Sequence, residues 1–153
     1  LHLYAIRAIG THLYVAGEQG LLLRLDRDRQ HFEALDLPYE GTLFGVVGDA
    51  RGLVAFGLRG NALRSTDGGS TWTTLDTGLS VTLTAGAPSP DGALVLASQT
   101  GQLLVSRDAG ATVAPLALPR RVPASAFLPM RDGSLIIAGP RGLHRIVPAG
   151  TQE

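Results

Sequence analysis

The sequence predicts an all-β fold built from a repeated unit of about 40 residues, and three observations support this prediction. Four similar segments recur along the chain: LYVAGEQG (13–20), LVAFGLRG (53–60), LVLASQTG (94–101) and LIIAGPRG (135–142). Their closing glycines are 40, 41 and 41 residues apart, which is a period typical of repeat architectures. Apolar runs of strand length alternate with turns rich in glycine, proline and aspartate.

The second unit shows the order of elements most clearly. Its apolar runs 43–47 and 53–56 are followed, after a tight glycine turn, by runs 62–65 and 72–75. Glycine pairs this frequent would break the helices of a helical repeat. Four short antiparallel strands in each unit are instead the blade of a β-propeller. The sequence therefore predicts four blades, at approximately 1–37, 38–78, 79–119 and 120–153.

The last unit is shorter than the others, because the chain ends within six residues of its third predicted strand at 143–147. Propellers commonly complete this blade with a strand from the N-terminal end, yet a first strand is predicted to begin already at Leu1. We therefore expect the C-terminal portion of a longer propeller. The alternatives are a compact four-bladed ring or two copies that complete one ring. Open propeller edges would favour self-association.

Composition excludes several classes of function. Hydrophobic residues make up 44% of the 153 residues, enough for a core, and 13 acidic residues balance 13 basic ones, which argues against a nucleic-acid partner. The absence of lysine and cysteine excludes a P-loop, a Schiff base, disulfides and thiolate metal sites. The four histidines are scattered over different units, so we predict no metal and no cofactor. No apolar run is long enough to span a membrane.

The most specific motif is STDGGSTW (65–72), which matches the Asp-box, Ser-x-Asp-x-Gly-x-Thr-Trp, at every defined position. The third unit carries the same motif at 106–113, with Val113 in place of the tryptophan, whereas the first unit keeps only Phe32 and has Arg27 and Arg29 in place of Asp and Gly. Serine and aspartate oxygens can accept the free N–H groups of such a turn. We predict structural roles for nine residues: Ser65, Asp67, Gly69, Thr71, Trp72, Ser106, Asp108, Gly110 and Thr112.

The segment 57–72, with GLRG followed by LRSTDGGSTW, resembles the blades of the Ycf48/Hcf136-like family of photosystem II stability and assembly factors. It resembles more closely the bacterial, non-photosynthetic branch with WD40/YVTN/BNR-like repeats. The repeat pattern covers nearly the whole chain, although only this blade is a full match. The resemblance implies a periplasmic or otherwise exported bacterial propeller of about seven blades, without its signal peptide here. It also implies a non-catalytic scaffold for a protein partner, as part of a membrane or envelope complex.

In a propeller, the turns between the second and third strands and the connections between blades lie on one face, around the mouth of the channel. We predict the partner-binding residues there: Arg59, Arg141, Arg120, Arg121, Glu18 and Tyr39. Guanidinium groups bind carboxylates in a bidentate manner, so arginines on this face would suit an acidic partner surface. The resemblance implies a protein-holding role for Arg59 and Arg141 in particular.

A glycoside hydrolase, sialidase-like or of another Asp-box type, is the alternative function. A sialidase requires an arginine triad, a tyrosine nucleophile and a partner carboxylate, and other glycosidases require two carboxylates at a set separation. Glu18 and Glu40 are the glutamates predicted near the channel mouth. Two carboxylates converging there would favour the hydrolase, and arginines without such a pair would favour the scaffold.

Overall fold

The computed structural model describes residues 1–26 and 28–149, and these residues form fifteen strands in four antiparallel sheets. Blade 1 contains β1 (Leu3–Ile9), β2 (His12–Gly17), β3 (Leu22–Asp26) and β4 (His31–Ala34). Blade 2 contains β5 (Leu43–Asp49), β6 (Gly52–Gly57), β7 (Ala62–Ser65) and β8 (Thr73–Leu75). Blade 3 contains β9 (Leu83–Pro88), β10 (Leu94–Ser98), β11 (Leu103–Ser106) and β12 (Ala114–Leu116). Blade 4 contains β13 (Ala126–Pro129), β14 (Leu135–Gly139) and β15 (Gly142–Ile146).

Strands follow one another in sequence order within every sheet, which confirms the predicted all-β blades. The second strand of a blade is buried on both of its faces in blades 2 and 3, where every residue of β6 and β10 is buried. A strand covered on both faces needs a continuous apolar run rather than alternation. The runs LVAF and LVLA meet this need, and they are the segments that made the repeat visible in the sequence.

Apolar clusters join each blade to the next. The first cluster packs Tyr14 and Leu22 of blade 1 against Leu43 and Leu53 of blade 2. Two further clusters join blade 2 to blade 3 and blade 3 to blade 4 in the same way. The innermost strands β1, β5, β9 and β13 are neighbours in that order and line a common central cavity.

Strand boundaries differ from the prediction in several places. β5 extends to Asp49 and β6 spans Gly52–Gly57, where the predicted runs were 43–47 and 53–56. Blade 2 ends with a strand that begins at Thr73 rather than at Trp72, because the Trp72 indole folds back and donates a hydrogen bond to the Gly69 carbonyl at 2.9 Å. The first strand begins at Leu3 rather than Leu1, and β15 spans Gly142–Ile146 rather than 143–147. Arg27, assigned to the turn of the first unit, lies outside the described residues.

The turns at 65–72 and 106–113, here called the Asp-box turns, share one hydrogen-bond pattern. The Ser65 hydroxyl donates to the Asp67 carboxylate and accepts the Gly69 N–H, and Ser106 does the same for Asp108 and Gly110. Gly69 has a φ of 92°, the left-handed region that favours glycine.

Each Asp-box turn is also tied to the preceding blade by an arginine. Arg24 of blade 1 donates to the Gly68 carbonyl at 2.7 Å, and Arg64 of blade 2 donates to the Ala109 carbonyl at 3.0 Å. We call these two residues the docking arginines. They donate to backbone carbonyl groups of the turns, and the Gly68 carbonyl also accepts the Tyr14 hydroxyl at 3.0 Å. These hydrogen bonds fix each turn on the neighbouring blade.

Asp108 makes the free energy of unfolding depend on pH in the acid range. The hydroxyl and backbone N–H of Thr112, at 2.6 and 2.9 Å, and the Ser106 hydroxyl lower the pKa of Asp108 from 3.8 to about 2. Because this pKa is lower in the folded state, the stabilisation by the ionised carboxylate is complete above 3.8 and is lost as the pH falls toward 2.

We therefore expect Asp108→Asn to be less stable than the parent near neutral pH, by a margin that shrinks as the pH falls through this window. Urea unfolding followed by circular dichroism at a series of pH values measures the margin. The exposed Glu40→Gln provides the control. A margin that stays constant with pH would show that the ionised carboxylate does not supply the stabilisation.

Within the described part of the chain, no helix is both long enough and apolar enough to cross a membrane.

Candidate partner-binding face

The turns between second and third strands lie on the same face as the connections between blades. Gly20 N–H donates to the Gly41 carbonyl at 2.8 Å, Leu58 N–H to Thr42 at 3.1 Å, and Gln99 N–H to Thr82 at 2.9 Å. In blade 4, Gly139 lies directly against Pro123 of the preceding connection. We call this surface the channel-mouth face; it consists of the turns 17–21, 57–61, 98–102 and 139–142 and the connections 35–42, 76–82 and 117–125.

Arg59 is presented at the tip of the second of these turns. The turn Leu58–Gly60 is held by hydrogen bonds from the backbone N–H and side-chain amide of Asn61 to the Leu58 carbonyl, and Arg59 has a φ of 56°. Burial raises the pKa of Tyr39, and the nearby positive charge of Arg59 opposes that rise. The candidates Arg59 and Tyr39 therefore lie on the same face, and the charge of Arg59 acts on the Tyr39 hydroxyl.

Arg120 and Arg141 form a group between blades 3 and 4. The Arg120 guanidinium lies 3.2 Å from Nδ1 of His144, and Nε2 of the same ring lies 3.1 Å from the Arg141 carbonyl oxygen. Both contacts are hydrogen bonds when His144 is neutral with its proton on Nε2. Sequence analysis assigned His144 no role, although it links the two arginines. Arg121 is exposed beside this group.

Glu18 is bound by groups of the N-terminal segment and forms no ion pair with a described arginine. The backbone N–H of His2 donates to Glu18 at 2.9 Å, Nδ1 of His2 lies 2.8 Å away, and the Tyr4 hydroxyl donates at 3.1 Å. The His2 backbone N–H, the His2 ring and the Tyr4 hydroxyl together lower the pKa of Glu18 to about 2. His2 lies before the first strand, and Tyr4 was aligned with the other units only as part of an apolar strand, so sequence analysis assigned neither residue a contact with Glu18.

The Glu18 environment bears on the hydrolase alternative. A catalytic general acid must carry a proton near the working pH, and enzymes achieve this by burial or by a second carboxylate close by. Glu18 shows the opposite shift, because hydrogen-bond donors outweigh burial. Glu18 is therefore suited to remain an anion and is not suited to protonate a leaving group.

The central cavity is lined mainly by aromatic and small residues of the four innermost strands. It has a volume of about 140 Å³ and contains one charged side chain, Arg7 of β1. Tyr4 and Phe44 meet edge to face at its rim, with ring centroids 4.9 Å apart. No sequence pattern points to Arg7, since its position in the channel depends on how the blades are arranged around the axis.

The comparisons with known proteins concern the fold. No protein-family profile and no curated protein matches the sequence. Among solved structures, YCF48 from Cyanidioschyzon merolae is similar with a TM-score of 0.72 at 17% identity, over 97% of this chain and 54% of that chain. The extracellular domain of a one-component system from B. thetaiotaomicron gives a TM-score of 0.72 at 14% identity, over 94% of this chain and 21% of that one. The fold is a β-propeller.

Two further similarities show how widely this propeller fold is used. An ancestral GH74 enzyme has a TM-score of 0.73 at 10% identity, over 94% of this chain and 22% of that chain. YCF48 bound to D1 peptide has a TM-score of 0.57 at 16% identity, over 93% and 51%. The chain thus spans about half of YCF48 and about a fifth of the other two proteins. Similarity at these identities shows the fold alone and favours neither an enzyme nor a binding protein.

Proposed function

We propose that this propeller is a non-catalytic scaffold that binds an acidic segment of a protein partner at its channel-mouth face. The observation that carries the proposal is the distribution of paired and unpaired arginines. Five arginines outside this face form ion pairs with carboxylates: Arg24, Arg29, Arg51, Arg107 and Arg145. Three others outside it, Arg7, Arg64 and Arg131, form no ion pair with a described residue. Among the described residues, none of the four arginines on the channel-mouth face has such a pair: Arg59, Arg120, Arg121 and Arg141.

The channel-mouth face carries four arginines and four carboxylates, Glu18, Asp36, Glu40 and Asp76, so its formal charge is zero. The positive charge that a partner would meet is local to the unpaired guanidinium groups. Arg59, in the turn after β6, and Arg120, beside the turn that carries Arg141, are then two separate positions at which a carboxylate could be bound. A segment that lies across the channel mouth could engage both. This geometry suits an extended acidic peptide better than a compact small ligand.

The comparisons support this proposal at the level of fold. The similar YCF48 structure holds a D1 peptide, so a propeller of this kind can bind a protein segment. Membership of the Ycf48-like family, in its bacterial non-photosynthetic branch, is part of the proposal. The extracellular domain among the similar structures supports an exported or periplasmic location, and the partner would then be a protein of a membrane or envelope complex.

A pull-down from solubilised envelope extract tests the proposal, with the parent chain and Arg59→Glu/Arg141→Glu compared at low and physiological salt. We expect a specific membrane-complex partner that the double variant releases, with weaker capture at higher salt. Removing each charge-assisted hydrogen bond should reduce the affinity about tenfold or more. The matched control is Arg29→Glu/Arg131→Glu, which changes the same number of charges on exposed arginines outside the channel-mouth face.

The outcomes separate the parts of the proposal. Equal capture by the parent and both variants would remove the arginines from the binding site while leaving a scaffold. Loss of capture by the control pair as well would indicate attraction by net charge alone. If the parent captures no partner, the scaffold function fails, and a glycoside screen with Glu18→Gln and Glu40→Gln becomes the next step.

A further inference from the structure

Two cavities follow one another along the central channel, and Arg7 lines both of them. The first, of about 140 Å³, is lined by Tyr4 and Thr84 at the beginnings of β1 and β9, toward the channel-mouth face. The second, of about 320 Å³, is lined by Ile9 and Pro88 at the ends of the same strands, toward the opposite face. Arg7 therefore lies between the two ends of the channel, where its side chain can meet a molecule that enters.

Arg7 is the one charged residue among the described residues that line the two cavities. Its guanidinium forms neither an ion pair nor a hydrogen bond with any residue in 1–26 or 28–149, and the residue is exposed. The described innermost strands contain a single carboxylate, Asp49, and Arg51 already binds both of its oxygens. Arg7 is thus a cation for which the described chain supplies no counter-ion.

Arg7 departs from the repeat at its own position. In the pairing of first and second strands, the equivalent residues of the other blades are all apolar: Val47, Ala87 and Leu128. Val47 is buried in the cluster that joins blade 2 to blade 3, so packing between blades calls for an apolar side chain here. A residue that breaks a local rule of its fold without a structural gain is expected at functional sites.

Arg7 lies on the side of blade 1 that faces blade 2. Its equivalent Val47 packs in the cluster between blades 2 and 3, whereas the residue before it, Val46, packs in the cluster between blades 1 and 2. The same alternation places Ile6, and not Arg7, on the side of blade 1 away from blade 2. The position of Arg7 in the channel therefore does not depend on what packs against the outer side of blade 1.

The other residues of the first cavity indicate which anion would suit Arg7. Phe44 and Phe127 line this cavity, and the Phe44 ring meets Tyr4 edge to face. The Tyr4 hydroxyl donates its proton to a carboxylate, and the Thr84 hydroxyl donates to a backbone carbonyl. Because these two protons are already used, the guanidinium is the main donor that the cavity offers to a ligand. A matching ligand has one acidic group and a flat apolar body.

We propose that the central channel binds a small aromatic carboxylate, whose acidic group pairs with Arg7 and whose ring packs against Phe44 and Phe127. A guanidinium group can hold a carboxylate through two parallel hydrogen bonds, and aromatic rings pack on one another in offset or edge-to-face arrangements. The site lies inside the channel and uses none of the arginines of the channel-mouth face. It is therefore independent of the proposed partner-binding function.

Isothermal titration calorimetry of the purified chain with phenylacetate tests the site. Phenylacetamide, which lacks the charge, and acetate, which lacks the ring, are the matched ligands. We expect saturable binding of one phenylacetate per chain and weaker binding of the other two. Arg7→Gln should reduce the affinity for phenylacetate about tenfold or more, because the charge-assisted hydrogen bonds are lost. Arg131→Gln removes the same charge from an exposed arginine outside both cavities and should leave the affinity unchanged.

Three results would overturn the proposal. They are a parent chain that does not bind phenylacetate at millimolar concentrations, equal affinity for phenylacetamide, and an Arg7→Gln variant that binds as tightly as the parent. Arg59→Glu/Arg141→Glu should bind phenylacetate like the parent, so this site and the channel-mouth face can fail separately. Circular dichroism checks that each variant is folded, and Arg7→Met replaces Arg7→Gln if that variant is not.

Discussion

Replacing Trp72 by alanine should be among the most destabilising single changes in this chain, at about 3–5 kcal/mol. The indole is 8% exposed, packs in the cluster between blades 1 and 2, and donates a hydrogen bond to the Gly69 carbonyl at 2.9 Å. Alanine would therefore open a cavity between two blades and also leave a buried carbonyl without its donor.

Urea unfolding followed by far-ultraviolet circular dichroism measures this destabilisation without relying on tryptophan fluorescence. Val113→Ala is the matched control, because Val113 occupies the same motif position in blade 3, is only partly buried and makes no such hydrogen bond through its side chain. We expect the control to cost about 1 kcal/mol. Similar destabilisation in the two variants would mean that the motif position, and not the indole, supports the packing between blades.

The second large effect concerns the Phe56 ring, which lies between two glycines. Phe56 is 2% exposed, and a Cβ atom on Gly86 of β9 or Gly45 of β5 would lie 2.6 or 2.5 Å from its ring. Phe56→Ala should cost about 3–5 kcal/mol through the cavity that it leaves. Gly86→Ala should also be destabilising on its own, because an added methyl group overlaps the ring.

The double variant Phe56→Ala/Gly86→Ala completes a double-mutant cycle with the parent and the two single variants. With the ring removed, the methyl group at position 86 enters the cavity, so the double variant should be at least as stable as Phe56→Ala alone. Denaturant unfolding of the four proteins gives the coupling free energy. Additive effects would indicate that Gly86 is required for a reason other than the close approach of Phe56.

The fold could be predicted because each repeat contains local sequence patterns that indicate its strands and turns. Continuous apolar runs such as 53–56 mark strands buried on both faces, and the turn at 65–72 carries its own hydrogen-bonding residues. The face on which Arg59 and Arg141 lie also followed from the strand order alone. Their role as binding residues stays a prediction.

Interactions between blades could not be predicted in this way. Arg24 donates to a carbonyl 44 residues further along the chain, in the next blade. This interaction has no sequence signature within one unit, because it depends on how neighbouring units pack. Arg7 was missed for the same reason, since only the arrangement of four innermost strands places it in the central cavity.

The docking arginines affect how the protein unfolds. Each docking arginine binds a turn of the next blade. The opening of one blade therefore removes hydrogen bonds from the adjacent blade and exposes its apolar side chains. Stability in such an array is a sum of couplings between nearest neighbours. The four described blades should therefore not open independently, because the opening of each one lowers the stability of the next.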